Sequence, residues 1–223
     1  MGGSLQNIIN TLFGEGTQSV DIIILLTVLT LLPSILLMMT AFTRIVIVLG
    51  FLRNAMGVQS APPNQVVIGL ALFLTFFVMG PTLTEIYDTA YVPYSNGEMT
   101  QEEFFTTAMV PAREFMRSQT YNTDMDFFIQ LSGLELESYE ETPDRVLIPA
   151  FMTSELKHAF QMGFMIYIPF IVIDMIVAST LMAMGMMMLP PAMISLPFKI
   201  ILFVMTDGWQ LTIGTLVQGF SRQ

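Results

Sequence analysis

The chain has 223 residues, of which 53% are hydrophobic and 12% are charged, and its mean hydropathy is +0.66. Soluble domains carry about 25% charged residues, so this composition predicts a membrane protein or one that buries most of its surface against partners. The absence of cysteine excludes disulfides and thiolate metal sites, and the net charge of −10 argues against binding to nucleic acid, whose phosphates require Lys and Arg.

The N-terminal segment, residues 1–19, begins MGGSLQNIIN, and no basic residue precedes Arg44. It has neither the basic n-region nor the small-residue cleavage site of a signal peptide. Since the N-terminus is predicted below to face outward, we expect that a signal was removed from this sequence or that the sequence starts after one.

A first apolar helical hairpin is predicted over residues 20–83. Its first block covers residues 21–39 and continues as a mixed stretch to Leu52, with a kink expected at Pro33. Its second block covers residues 66–83. Each block is near the roughly 20 residues that a membrane-spanning helix needs.

Residues 84–146 form an acidic segment with thirteen acidic and three basic side chains, which accounts for the whole net charge. TQEE at positions 100–103 is a capping-box pattern that predicts the start of a helix. Pro111 is expected to bend this helix. Apolar residues then recur at helical spacing, namely Phe104, Phe105, Ala108, Ala112, Phe115 and Met116. The segment is predicted to be mostly helical, with a solvated acidic face.

A second apolar hairpin is predicted over residues 147–223. Its blocks run from Met162 to Leu189 and from about Leu196 to Val217, with the turn at Pro190–Pro191. The fold class is therefore all-α and of the integral-membrane type, with about four long apolar helices in hairpins and one helical extracytoplasmic segment.

The basic residues predict the orientation. Arg44 and Arg53 lie between the first two spans, and Lys199 follows the turn between the last two. Because basic residues concentrate in cytoplasmic connections, the acidic segment and both termini are predicted to face outward.

Asp174 is the only acidic residue within the third span, and Lys199 begins the fourth. A charge in such surroundings is costly unless it is paired, and it indicates function. With the turn at Pro190–Pro191, the two residues are offset by eight positions, or roughly 12 Å at 1.5 Å per residue. We therefore predict that Asp174 pairs with Lys199 of a neighbouring copy. The alternatives are a local structural pair or a lysine that snorkels to the interface.

The stretch LMAMGMMMLPP, residues 181–191, places five methionines where a helix must end before two prolines. Methionine is unbranched and fills irregular or changing gaps. These residues could be ordinary core filler. The sharper hypothesis is a compliant ring of thioethers that blocks water and ions as a hydrophobic constriction, formed by Met186, Met187 and Met188.

Other chemistry is sparse, so no catalysis and no cofactor are predicted. His158 is the only histidine, and a lone histidine is usually structural. Ser195 and Lys199 have the spacing of a Ser/Lys dyad, but Pro197 lies between them. Trp209 is a candidate interfacial anchor. A small-solute or ion channel or transporter stays open as one function, and an intramembrane enzyme as another.

The sequence TSELKHAFQMGFMIYIPFIVIDMIVASTLMAMGMMMLPP, followed by LPFKIILFVMTDGWQL, resembles the FliP family, the P subunit of the flagellar type III export gate. TAFTRIVIVLGFLRNAMGVQSAPPNQVVIGLALFLTFFVMGP is similar to the first half of that family. The resemblance extends from about Ile23 to Phe220 and is weakest over residues 84–146. DGWQL favours the flagellar branch over the related injectisome branch.

This resemblance implies a cleaved signal and a gate that passes unfolded flagellar subunits across the bacterial inner membrane. It implies several copies, a pentamer in the family, assembled with FliQ-like and FliR-like subunits and other export-gate components. The conical assembly would be raised out of the bilayer, with its bulk on the periplasmic side. The methionine gasket of the family corresponds to Met186, Met187 and Met188, and its charged pair to Asp174 and Lys199.

Overall fold

The computed structural model describes residues 18–58, 61–186 and 188–221, and all regular structure in these ranges is helical, as predicted. The elements in chain order are α1 (Gln18–Met38), α2 (Phe42–Met56), α3 (Asn64–Val78), α4 (Gly80–Ile86), a π-helical turn (Tyr87–Tyr91), α5 (Val92–Ser95), α6 (Gln101–Ser118), α7 (Asn122–Ser132), a 3-10 turn (Tyr139–Glu141), α8 (Asp144–Ala183), α9 (Pro191–Met205) and α10 (Gly208–Ser221).

Helix α1 forms a unit of its own, and the chain from Met39 onward forms a second unit. The helix continues through Pro33 without a break, and the kink expected there stays a prediction. Several of its apolar side chains, among them Ile23 and Leu29, are exposed.

The membrane-capable helices are fewer than the sequence predicts. Of the described residues, only α8 is long and apolar enough to cross a membrane by itself. The stretch Asn64–Val78 is bent by 59° against Gly80–Ser95, and α9 is bent by 64° against α10. If each bent pair is one span, the total is three. The prediction of four spans is therefore not confirmed. The average hydropathy of a block does not reveal a bend at a short break such as residues 79–81 or 206–208.

The second unit is built on α2 packed against α8. The two helices pack closely at Gly163 of α8, where a Cβ atom would lie 2.4 Å from the Phe51 ring of α2. The same ring makes edge contacts with Phe160 and Tyr167. A single glycine thus lets an aromatic side chain of α2 lie directly on the α8 backbone.

Three apolar clusters hold this unit together. The first joins α2, α3, α8 and α10 through residues that include Ile45, Ala71, Ala159 and Leu216. The second joins the acidic segment to the start of α8. The third places Phe203 of α9 among residues of α2 and α8.

The acidic segment begins as predicted. The Thr100 hydroxyl accepts from the Glu103 amide, and the Glu103 carboxylate accepts from the Thr100 amide at 2.7 Å, which completes the capping box. Helix α6 then runs through Pro111 to Ser118.

Candidate functional site

The methionine-rich loop lies between two apolar helices. Helix α8 ends in a Schellman motif, in which the Gly185 amide donates to the Met182 carbonyl at 3.0 Å and the Met186 amide donates to the Leu181 carbonyl at 2.9 Å. Gly185 has φ 77°, a left-handed conformation that glycine adopts without steric cost. The helix therefore ends before the methionine triplet, and the next helix begins at Pro191.

The described thioethers of this loop are exposed on the single chain. The side chain of Met186 is 46% exposed and that of Met188 is 98% exposed. Met187, the central residue of the predicted gasket, lies outside the described residues. On both sides of the loop, Met184 and Met193 are also exposed. When a partner covers an apolar surface of this kind and removes it from water, the free energy is lowered.

Asp174 and Lys199 pair within one chain. The Lys199 ammonium donates to Asp174 Oδ2 at 2.6 Å, and the Ser195 hydroxyl donates to Asp174 Oδ1 at 2.5 Å. Ser195 and Lys199 are buried, whereas the Asp174 side chain is 40% exposed. Ser195 therefore contacts the carboxylate rather than acting with Lys199 as a dyad.

Pairing of Asp174 with Lys199 of a neighbouring copy stays a prediction, but the geometric reasoning behind it does not hold, because the two residues can pair within one chain. That prediction assumed that both helices continue to Pro190–Pro191. Instead, α8 ends at Ala183 and residues 184–190 form the connection. Asp174 then lies nine residues before the end of α8, and Lys199 lies eight residues after the first residue of α9. The two side chains are consequently level.

The C-terminal end of α2 reaches the same ion pair. Gly57 caps α2, and a Cβ atom placed there would lie 3.9 Å from the Lys199 Nζ. Because the last carbonyl groups of a helix carry partial negative charge, this position favours the lysine ammonium. Lys199 is therefore stabilised by Asp174 and by the end of α2.

Sequence reasoning missed a second buried charge cluster around Arg44. The guanidinium and the Glu155 carboxylate are both fully buried and form a bidentate ion pair, with Arg44 Nε donating to Glu155 Oε2 at 3.0 Å. The guanidinium also lies 3.9 Å from the centroid of the Phe220 ring. Arg44 is thus a core residue of α2 and gives no information about the charge of a loop, which removes one basis of the predicted orientation.

The Arg44 cluster holds the C-terminal end of α10. Arg44 Nη1 donates to the Gly219 carbonyl at 3.4 Å, and Gln119 Nε2 donates to the Phe220 carbonyl at 3.2 Å. Arg44 Nη2 also donates to Gln119 Oε1 at 3.2 Å. These contacts satisfy carbonyl groups that a helix end leaves without intrahelical partners. A signal in the sequence was available for Arg44, which is an isolated charge in apolar surroundings, but not for Glu155, which stands close to a lysine and a histidine along the chain.

A third polar group joins α7 to α8. Asp124 accepts from the Ser154 hydroxyl at 2.8 Å and forms an ion pair with Lys157. The Tyr121 hydroxyl lies 3.0 Å from His158 Nδ1, and the two rings stack with centroids 4.3 Å apart. This placement agrees with a structural role for the only histidine.

The outer part of the acidic segment is fixed by its own arginines. Arg113 and Asp144 form a half-exposed bidentate pair at 2.6 and 2.7 Å, and the hydrogen bonds that the guanidinium donates to the Asp144 carboxylate raise the pKa of Arg113. Tyr139 donates to Asp126 at 2.5 Å, and this hydrogen bond raises the pKa of Tyr139. Within the described ranges, no three carboxylate or imidazole side chains are grouped so that they could hold a metal ion.

Comparison with known proteins gives a consistent match. The family model described as "FliP family" matches residues 25–216. The flagellar biosynthetic protein FliP of Pectobacterium carotovorum subsp. carotovorum is 58% identical over 205 residues, covering 92% of this chain and 80% of that protein. The protein of the same name from Bacillus subtilis (strain 168) is 53% identical, covering 92% and 93%. The one from Caulobacter vibrioides is 51% identical, covering 97% and 84%.

Proposed function

Because the chain belongs to the FliP family, we propose that it is a pore-forming core subunit of the flagellar type III protein export gate. In this role it passes unfolded flagellar subunits across the bacterial inner membrane, as part of the flagellar basal body. All the relatives described above are named as flagellar proteins, which favours the flagellar gate over its injectisome counterpart.

The observation that carries this proposal is the exposure of Met186 and Met188 at a break between two apolar helices. A gate for unfolded chains of varied sequence cannot use a seal of fixed shape. Thioether side chains adapt their conformation to irregular surfaces, so they can close around different side chains and close again when the pore is empty. Met186, Met187 and Met188 from several copies would form this seal, a hydrophobic constriction that excludes ions.

The exposed apolar faces of the helices support the proposed assembly. Many large apolar side chains of α3, α8 and α9 are exposed, for example Phe73, Met165 and Val204. In the proposed gate, further copies of this chain, FliQ-like and FliR-like subunits, and the membrane cover these faces. The acidic segment lies on the periplasmic side, together with the bulk of the assembly.

The experiment replaces Met186, Met187 and Met188 together by alanine in the assembled gate. We expect ion conductance across the membrane to rise while the oligomer still forms. A matched control replaces three other exposed methionines, Met165, Met175 and Met205, which lie within α8 and α9. Conductance of the assembled loop variant that equals the control would refute the gasket.

A small-solute or ion channel is the alternative that this experiment leaves open. The two functions differ in the width of the open pore. A stalled, unfolded export substrate should block the conductance of the alanine variant if the pore conducts proteins. A pore of solute size would admit no such chain, and the conductance would be unaffected.

A further inference from the structure

Helix α10 is fixed at its C-terminal end. Its last carbonyl groups accept hydrogen bonds from Arg44 and Gln119, and Phe220 lies under the Arg44 guanidinium. Leu216 is buried in the first apolar cluster, one turn earlier. Because both polar and apolar contacts hold α10, it is expected to stay in place when neighbouring elements move.

Helix α9 is held by a single narrow stripe. Only Ser195, Lys199 and Phe203, spaced four residues apart, are buried. The first two contact the Asp174 carboxylate, and the third lies in the third apolar cluster. The long, flexible lysine stem can keep its bond to Asp174 over a displacement of a few ångströms. This attachment permits α9 to tilt without losing its ion pair.

The connection between α9 and α10 has the backbone of a hinge. Thr206 is the C-cap residue that follows the last residue of α9. Asp207 has φ 47°, a left-handed conformation that is uncommon for a residue other than glycine. Gly208 follows directly, and a Cβ atom there would lie 2.2 Å from the Phe203 ring. The two helices meet at a 64° bend. Residues 206–208 therefore take up the whole change of direction.

An apolar cavity of about 440 Å³ lies beside this connection. Its walls come from α2, α8, α9 and α10 and include Leu52, Met165, Phe203, Thr212 and Leu216. It is open on one side, where Met165 and Leu211 are exposed. A space of this size next to Phe203 gives that side chain, and the helix that carries it, somewhere to move.

We propose that residues 206–208 are the hinge of a lever formed by α9, which carries the methionine loop at its opposite end and tilts into the cavity when the gate opens. This inference rests on the proposed function, because it describes how that gate would part. Helix α9 has 15 residues, and at 1.5 Å per residue it is roughly 22 Å long, so a tilt of about 10° moves the loop end by about 4 Å.

The test measures the distance between spin labels on α9 and α10 in the assembled complex. Met193→Cys and Gln218→Cys provide exposed label sites, and the chain has no other cysteine. Labelled chains are diluted with unlabelled ones so that each complex holds one labelled copy. We expect a distance distribution several ångströms wide, which becomes wider with Asp207→Gly because glycine relaxes the hinge.

The decisive variant fills the cavity. Thr212→Leu adds apolar volume to a buried cavity wall and should narrow the distribution, whereas Thr212→Val keeps the original volume and is the matched control. If Thr212→Leu prevents assembly, Thr215→Leu at the exposed rim replaces it, with Thr215→Val as control. If the spin-label distance distributions of the leucine and valine variants were equally wide, the hinge proposal would be refuted.

Failure of the hinge and failure of the gate are distinguishable. If the leucine and valine variants gave equal distance distributions while the methionine-to-alanine variant conducted ions, the lever would be refuted and the proposed gate would stand. A non-conductive alanine variant with a distribution that narrows on cavity filling would refute the gate and keep the movement of α9.

Discussion

Removing one partner of the buried Arg44–Glu155 pair should strongly destabilise the fold. Arg44→Met leaves the Glu155 carboxylate buried without its cation, and it also removes donors from Gln119 and the Gly219 carbonyl. Breaking a buried ion pair costs about 3–5 kcal/mol. This corresponds to a loss of roughly two to four orders of magnitude in the ratio of folded to unfolded chain.

The double variant Arg44→Met with Glu155→Leu should be more stable than either single variant. With both charges replaced by apolar groups, no buried charge remains without a partner. The pair would therefore show a large coupling energy in a double-mutant cycle. Reversible unfolding of the purified chain in mixed detergent, followed by circular dichroism, measures each free energy.

The half-exposed Arg113–Asp144 pair supplies the control. Its side chains are 36% and 34% exposed, and solvent screens such a pair. Arg113→Met should cost no more than about 1 kcal/mol. If Arg44→Met were as mild as Arg113→Met, or if the double variant were less stable than both single variants, the buried-charge reasoning would be refuted.

Two further predictions concern packing and capping. Gly163→Ala should separate α2 from α8, because its Cβ atom would lie 2.4 Å from the Phe51 ring; Phe51→Leu in the same chain should restore part of the lost thermal stability. Thr100→Ala should cost about 1 kcal/mol of helix stability, measured by thermal unfolding. Hydrogen bonds from the Thr100 backbone and hydroxyl lower the pKa of Glu103 below its ordinary value of 4.5. The stability that the ionised Glu103 adds to the folded chain is therefore present above pH 4.5 and is lost as the pH falls through the lowered pKa. Glu103→Gln should abolish this acid dependence, and a stability profile identical to that of the unmodified chain would contradict it.

Local signals in the sequence were reliable. The capping box at Thr100 and Glu103 forms as predicted, since it depends only on residues three positions apart. The sequence also predicted that the Asp174 carboxylate pairs with a Lys199 ammonium, because an isolated charge in an apolar helix requires a partner.

Tertiary contacts and bends were harder to predict. The register of Asp174 and Lys199 depends on where α8 ends, and Gly185 ends it before the prolines that were taken as the turn. Arg44 looked like a loop residue because hydropathy does not reveal that Glu155, 111 positions away, lies opposite it. The bend at Asp207 lies at a short polar interruption, residues 206–208, inside the predicted apolar block, and the average hydropathy of the block did not locate it.

The central claim is that thioethers from several copies close a shared conduit. An experimental structure of the assembled oligomer tests it most directly, at the loop of residues 184–190. We predict that the side chains of Met186, Met187 and Met188 from the different copies converge on a common axis and contact one another. A loop that lies against lipid, or that folds into the interior of its own copy, would contradict the account.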